Sequence, residues 1–480
     1  MKKALFLIPL AAIGLFLGGC ALPQQDEASD LSRASLQTES SQVAARFFEG
    51  LKEGRDDIYW PLMSPVQQSP GLKKEYKEIE PAMQGFVSWT SQPSVSVIRS
   101  LDATPQFPGP FYVVERLAKF TDGEACLIAI VEFDRGNNGF VNHAQLTRTL
   151  EGIERSTRGV VDVEVIGESN QGREIYSARV GEGDTVVLVE SQIHGNENHG
   201  TEALLDLLRR WGGSTSEAAA LREEVTIVAI PRLNVDGGER DTRQNEMTWA
   251  DVVAAFPQLA GVAPAWNYST RVGGFDVNRD FNPDLDYVPQ PGDFPGNSAD
   301  TGWYITPEAQ TVRDVYRGLE AEFGTVDYFV DLHNQWSCYA TDDLERMSPL
   351  SISAKFIDDP SEFGTWPKFD MDASKRANVA VYEALQGFGR SGYGDLTLYP
   401  QDTNLPGTAL GSFALRGSAV VLFETSSQTQ YDGMKRNGML RKQIEVGLGG
   451  LVDSVADGSI SSLDPSVYDT IPQRVFLPAD

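Results

Sequence analysis

Four uninterrupted apolar runs mark the second half of the chain, at residues 186–189, 225–230, 328–330 and 419–423. None alternates with polar positions, so each predicts a strand buried on both faces rather than one with a wet side. Between them, stretches such as 200–211 and 307–323 read as helices. Strand and helix in alternation predict an α/β/α sandwich around a mixed, largely parallel sheet over residues 141–456. The chain before this is different in kind. Residues 43–140 begin with a short helix at 43–51, continue in β-like stretches at 95–98, 111–114 and 126–131, and are broken by a Pro-rich segment at 104–110. They predict a small β-rich or α+β N-terminal domain, with no chemical motif to give it a role. Residues 20–42 are polar and read as a flexible tether, and 457–480 as an irregular tail.

The residues just past each apolar run carry the candidate chemistry. The first run leads through Glu190 to His194, the second to Asn234, the third through Asp331 to His333, and the fourth closes at Glu424. Open α/β sheets bind ligands at the carboxyl ends of their strands, so four strands deliver these groups to one edge. His194 and Glu197 stand three residues apart where a loop enters a helix, which lets both face one point, and His333 adds a third donor from another strand. Two His and one Glu, with a fourth position open, form a catalytic rather than structural zinc set.

The remaining candidates are few, because the chain has only four His and three Cys. His199 lies one residue too far from Glu197 for an H-x-x-E-H motif and reads as a helix-start residue; His143 reads as surface or packing. The run Asp276, Asn278, Asp280, Asn282, Asp284 looks like a calcium loop, but Phe281 stands where glycine is needed and Tyr287 where glutamate is needed. No G-x-S-x-G elbow occurs, and pairing Cys338 with a His outside the metal set requires special pleading, which disfavours a cysteine protease.

Charge and the N-terminus bear on partners and location. Lys plus Arg total 40 against 68 Asp plus Glu, a net charge of −28 that repels phosphate backbones and argues against a nucleic-acid partner. The chain opens Met1-Lys2-Lys3, then runs apolar to Leu17, a stretch short for a membrane span and interrupted by Pro9. Residues 1–19 therefore predict an export signal. Leu17-Gly18-Gly19-Cys20 resembles the lipobox of bacterial lipoproteins, which implies lipidation at Cys20. Ala21, rather than Asp, after that cysteine implies an outer-membrane anchor on the periplasmic or surface side. Cys126 and Cys338 remain, either as two buried thiols or as one bridge.

Taken together, residues 143–455 resemble the zinc metallocarboxypeptidases of the carboxypeptidase A type. His194-x-x-Glu197 with His333 far downstream is similar to that family's ligand set. Asn234-Val235-Asp236-Gly237 resembles its Asn-Pro-Asp-Gly turn, with Val in place of Pro, and 274–280 resembles its Gly-x-Asp-x-Asn-Arg segment. The resemblance implies one Zn²⁺ per chain on His194, Glu197 and His333, and a peptide substrate. It implies Glu424 as general base, Asp276 as the hydrogen-bond partner of a zinc histidine, and Asn278 with Arg279 as the clamp on the substrate's terminal carboxylate. An arginine beside the developing oxyanion is implied as Arg243, with Arg271 as rival, and a substrate-capping tyrosine as Tyr399, with Tyr393 second.

The function expected is hydrolysis of the C-terminal peptide bond. A zinc amidohydrolase of the same fold, acting on cell-wall peptides or N-acyl amino acids, and a non-catalytic surface-binding lipoprotein are the alternatives. Residues 400–423 carry only Asp402 and Arg416 as charges. A neutral pocket floor near Ala409 implies an apolar terminal preference, Arg416 an acidic one and Asp402 a basic one. The long loops at 246–273, 281–304 and 335–370 are rich in aromatics, which either rim a funnel above the metal or pack the loops down.

Overall fold

The computed structural model describes residues 16–17, 33–59, 83, 85–90, 94–98, 111–121, 123–132, 140–336, 339–342, 346–364, 366, 368–389, 391–426 and 434–476. The expected lipidation site Cys20, most of the expected signal and Cys338 lie outside them, and so does the question of a Cys126–Cys338 bridge. No helix among the described residues is long and apolar enough to cross a membrane.

One eight-stranded sheet organises the large domain. Its strands are β1 (Val161–Glu168), β2 (Glu174–Val180), β3 (Thr185–Ser191), β4 (Val225–Ile230), β5 (Tyr328–Gln335), β6 (Leu350–Ser353), β7 (Thr397–Leu398) and β8 (Ala419–Ser426). They lie in the order β7-β6-β8-β5-β3-β4-β2-β1. The four central strands β8, β5, β3 and β4 are mutually parallel, and antiparallel pairs join β6 to β8, β2 to β4 and β1 to β2. The architecture is the expected sandwich.

Successive side chains of a strand point to opposite faces, and the central runs divide accordingly between two cores. Val187, Val189, Ile227, Ala229, Val330, Leu332, Val421 and Phe423 pack with the helices His143–Thr157, His199–Trp211, Met371–Gly387 and Met434–Ala456. Val186, Leu188, Val228, Ile230, Phe329, Val420 and Leu422 face the helices Pro307–Phe323 and Ala409–Arg416. The same alternation decides where the site lies. Asp331, His333 and Gln335 continue the second face of β5 beyond Phe329, and Glu424 continues that face of β8 beyond Leu422.

Three expectations are corrected. The apolar runs underestimate the strands: β5 and β8 extend to Gln335 and Ser426, so His333 and Glu424 sit inside strands, paired in register, rather than after them. The first helix begins at Arg33, not at residue 43, and takes in part of the expected tether. The C-terminal segment is not an irregular tail. Ile460, Tyr468 and Ile471 are buried against the main core, the Tyr468 hydroxyl accepts from Ala354 N at 3.0 Å, and Arg474–Phe476 forms a strand antiparallel to Tyr339–Thr341. In the N-terminal block, Phe86–Trp89, Ser94–Ile98, Phe111–Phe120 and Gly123–Glu132 form a separate sheet edged by Phe16–Leu17.

Candidate metal centre

His194 and Glu197 reach the site on a loop that close packing holds in place. Gln192 adopts φ 58°, an uncommon left-handed conformation for a side chain of its size. Its amide bonds Gly195 O at 2.6 Å and Asn198 Oδ1 at 2.7 Å. Gly195 lies so near the following turn that a Cβ there would come within 2.0 Å of Gly237 C, which explains the glycine. That turn is the Asn234-Val235-Asp236-Gly237 segment. Asn234 Oδ1 accepts from Gly237 N at 2.9 Å, and its amide donates to Ile193 O at 3.1 Å. The motif is thus a scaffold that fixes the ligand loop.

The three expected ligands converge. One donor atom from each of His194, Glu197 and His333 lies within 4.8 Å of the others, and all three residues are buried. His194 Nδ1 is 2.9 Å from Glu197 Oε1, and His333 Nδ1 is 2.8 Å from Glu197 Oε2. The outer ring nitrogens are spoken for: His194 Nε2 faces Asp276 Oδ1 at 3.2 Å and His333 Nε2 faces Asp331 Oδ2 at 2.7 Å. Carboxylates there keep the protons on Nε2 and leave the Nδ1 lone pairs inward. The two Nδ1 atoms are 3.1 Å apart. Lone pairs opposed at that distance repel unless a cation lies between them, so the donor set fits a zinc ion of tetrahedral N/O preference.

Charge around the trio is arranged in layers. Burial opposes ionisation of Asp276, but the Arg243 and Arg279 guanidinium groups outweigh it and hold that carboxyl well below its usual range. Arg243 donates to Asp276 Oδ2 from Nε at 3.1 Å and Nη2 at 2.9 Å, and its Nη1 lies 3.1 Å from His194 Nδ1. Arg243 therefore lies beside the trio, whereas Arg271 is exposed. Burial disfavours the charged form of His333, yet Asp331 and Glu197 raise its pKa well above the ordinary value. Across the strand from Asp331, Glu190 is fully buried with neither carboxyl oxygen hydrogen-bonded. Burial, then the neighbouring Asp331, pushes its pKa well up.

Glu424 is His333's register partner on β8, and burial raises its pKa. Asn278 is placed otherwise than expected of a carboxylate clamp. It is buried, its amide lies 3.1 Å from His333 Nε2, and its Oδ1 accepts from Ala409 N at 3.0 Å. Both of its polar ends thus have partners within the site, and Arg279 lies half-buried beside it. Tyr399 is half-buried at the site's other side, next to Arg474, while Tyr393 stacks on Phe388 at 5.6 Å as loop packing. His199 bonds Asn334 at 3.0 Å and meets Phe140 edge-on, and His143 Nε2 bonds Glu174 O at 2.8 Å; neither joins the trio.

The charged rivals for the pocket floor also separate. Arg416 is paired with Glu320 and lies over Tyr316 and Trp366, and Asp402 is exposed. The aromatics of residues 246–304 mostly form their own small core, with Trp249, Trp303, Phe275, Tyr268, Tyr287 and Phe294 packed together. Trp266 and Trp336 remain 38% and 43% exposed. Two site residues escape sequence reading. Asp331 had a usable signal, since Asp-x-His on a strand puts both side chains on one face. Arg474 had none.

Residues 146–345 match the family model described as zinc carboxypeptidase. This part of the chain is similar to the zinc carboxypeptidases. The large domain is a zinc peptidase, and His194, Glu197 and His333 are the grouped residues that fit its metal. A metallo-carboxypeptidase from Pseudomonas aeruginosa, solved with (2-guanidinoethylmercapto)succinic acid, is 17% identical, with a TM-score of 0.43 and coverage of 83% of this chain and 85% of that one. A metallo-carboxypeptidase from Burkholderia cenocepacia is 14% identical, with a TM-score of 0.42 and coverage of 75% and 81%. The carboxypeptidase A of Helicoverpa armigera is 16% identical, with a TM-score of 0.42 and coverage of 66% and 77%. Among curated proteins no match is found.

Proposed function

We propose that the protein is a zinc-dependent carboxypeptidase that releases the C-terminal residue of peptides. The observation that carries this reading is the placement of Glu424 beside His333 in register, within electrostatic reach of the His194, Glu197 and His333 trio, with Arg279 near Asp276. Zinc held by the trio supplies Lewis-acid polarisation of the scissile carbonyl and a more acidic water. Glu424 takes a proton from that water onto its carboxylate and returns it to the departing amine nitrogen. Its burial raises its proton affinity, which suits both halves of that transfer. Arg243, locked by Asp276, holds fixed positive charge where the carbonyl oxygen becomes anionic. Arg279 binds the terminal carboxylate, and the Tyr399 ring covers the bound residue. The uncharged surroundings of Ala409 favour an apolar terminal side chain.

Digestion of a peptide library, read by mass spectrometry, tests this. Stepwise loss of single C-terminal residues is expected, abolished by a chelator and by C-terminal amidation. Internal cleavage, or action confined to N-acyl amino acids or cell-wall amides, overturns it in favour of an amidohydrolase. We also infer that the enzyme is exported and anchored to the outer membrane through lipidated Cys20, on the support of the N-terminal sequence pattern.

A further inference from the structure

We propose that Arg474 is a substrate-contact residue that receives an acidic side chain of the peptide on the amino side of the cleaved bond. The direction of the peptide rests on the carboxypeptidase reading above; the contact itself does not.

Arg474 belongs to the C-terminal strand that pairs with Tyr339–Thr341. Its guanidinium carbon lies 4.1 Å from the ring centroid of Tyr339 and 4.1 Å from that of Tyr399. Nη1 donates to Gln335 Oε1 at 2.7 Å, and Nε is buried without an acceptor. Among the described residues no carboxylate comes within ion-pairing distance of Arg474. Two other arginines near the sheet edge are neutralised, Arg243 by Asp276 and Arg416 by Glu320. In a chain of net charge −28, a cation clasped between two rings and left without a counter-ion is a costly arrangement. The rings compensate in part by facing their electron-rich surfaces to it. The fork offers donors that the protein does not use. Its charge is felt at the centre, since it lowers the proton affinity of Glu424 against the upward push of burial.

The position in the sheet selects the part of the substrate. Gln335, the partner of Arg474, lies two residues beyond His333 on the same face of β5, and Ser351 of β6 donates to Gln335 Oε1 at 2.8 Å. Arg474 therefore flanks the centre on the β6 and β7 side. The proposed carboxylate partner Arg279, with Asn278, Asp276 and Arg243, flanks it on the other side, toward Ala409 and His194. A peptide with its terminal carboxylate at Arg279 and its last peptide bond at Glu424 carries its preceding residues toward Arg474. A carboxylate side chain there meets a planar guanidinium held in place by two rings and Gln335.

The test uses the zinc-loaded full-length protein and paired peptides that differ only as Glu or Gln at the residue preceding the cleaved bond, with a second pair differing at the terminal residue. The kcat/KM ratio of Glu to Gln at the preceding residue is expected to be about tenfold in the wild type, the effect of one charge-assisted contact. It should collapse toward one in Arg474→Gln, invert in favour of Lys-bearing peptides in Arg474→Glu, and recover in part in Arg474→Lys. An unchanged ratio in folded, zinc-replete Arg474→Gln overturns the proposal. So does a change confined to the terminal pair, or an equal loss for every peptide, which assigns Arg474 to the terminal residue or to packing. Should the wild type release no terminal residue from any peptide, the carboxypeptidase reading fails on its own. Calorimetric binding of the same peptides to Glu424→Gln protein then decides Arg474: tighter binding of the Glu peptide, lost on adding Arg474→Gln, upholds it, and equal affinities overturn it.

Discussion

Asp331 Oδ2 lies 2.7 Å from His333 Nε2, two residues away on the same face of one strand. The carboxylate fixes the ring so that Nδ1, 2.8 Å from Glu197 Oε2, is the free donor atom. Such partners typically carry about 10- to 100-fold in metal affinity. Asp331→Asn is therefore expected to weaken zinc binding by roughly that factor, while His333→Ala removes it. Competition against a chromophoric chelator measures both; wild-type affinity in Asp331→Asn removes the orienting role.

Glu424→Gln is expected to keep zinc and lose turnover by about 10²-fold or more, because the amide cannot carry the proton. In the wild type, burial raises the Glu424 pKa, and only the ionised form accepts a proton from water. The acid limb of kcat/KM therefore falls above the ordinary glutamate range as pH is lowered through it. Metal content and a pH–rate profile check these together, and near-normal turnover in the variant reassigns the base.

Glu308 opens the helix Pro307–Phe323 fully buried, with Asn245 bonded to Oε2 at 2.8 Å and Oε1 unpaired. Burial pushes its pKa up to about 7. The unfolded chain releases this proton near pH 4.5 and the folded one only near pH 7, so the folded state loses stability as pH rises through that window. The loss amounts to roughly 3 kcal/mol at most. Glu308→Gln cannot ionise, so its stability curve should lack that decline. Denaturant melts of both proteins from about pH 4 to about pH 8 measure the difference in slope; parallel curves count against a neutral Glu308.

Cys20→Ala is expected to convert a membrane-bound protein into a soluble periplasmic one, because one lipidated cysteine is the proposed anchor. Cell fractionation with mass spectrometry of the mature N-terminus reads the outcome. Membrane retention in the variant, with no lipid on wild-type Cys20, defeats the anchor.

The central strands were legible because burial on both faces demands unbroken apolar runs, against which Glu190, His333 and Glu424 stand out as polar intrusions that need a reason. That logic reached His194, His333 and Glu424 as candidates at strand ends, and the three-residue spacing from His194 added Glu197. It missed β1, β2, β6 and β7, which lie at or near the sheet's flanks and carry mixed or short patterns, such as the partly exposed run of Val161–Glu168. It also shortened β5 and β8, since their ends hold the polar site residues.

Spacing along the chain determined which residues are able to bind a metal; distance across the chain decided which of them meet. Nothing local separates Arg243 from Arg271, or Tyr399 from Tyr393. What sets them apart is contact across the chain, Arg243 with the Asp276 that meets His194, and Tyr399 with Arg474. Arg474 lies 139 positions from its partner Gln335, in a segment whose composition suggested an unstructured end. Its place depends on Tyr468 and Ile471 being buried against the main core. Periodicity reports how a residue sits in its own strand or helix, whereas a guanidinium between two rings exists only after separate elements have packed together.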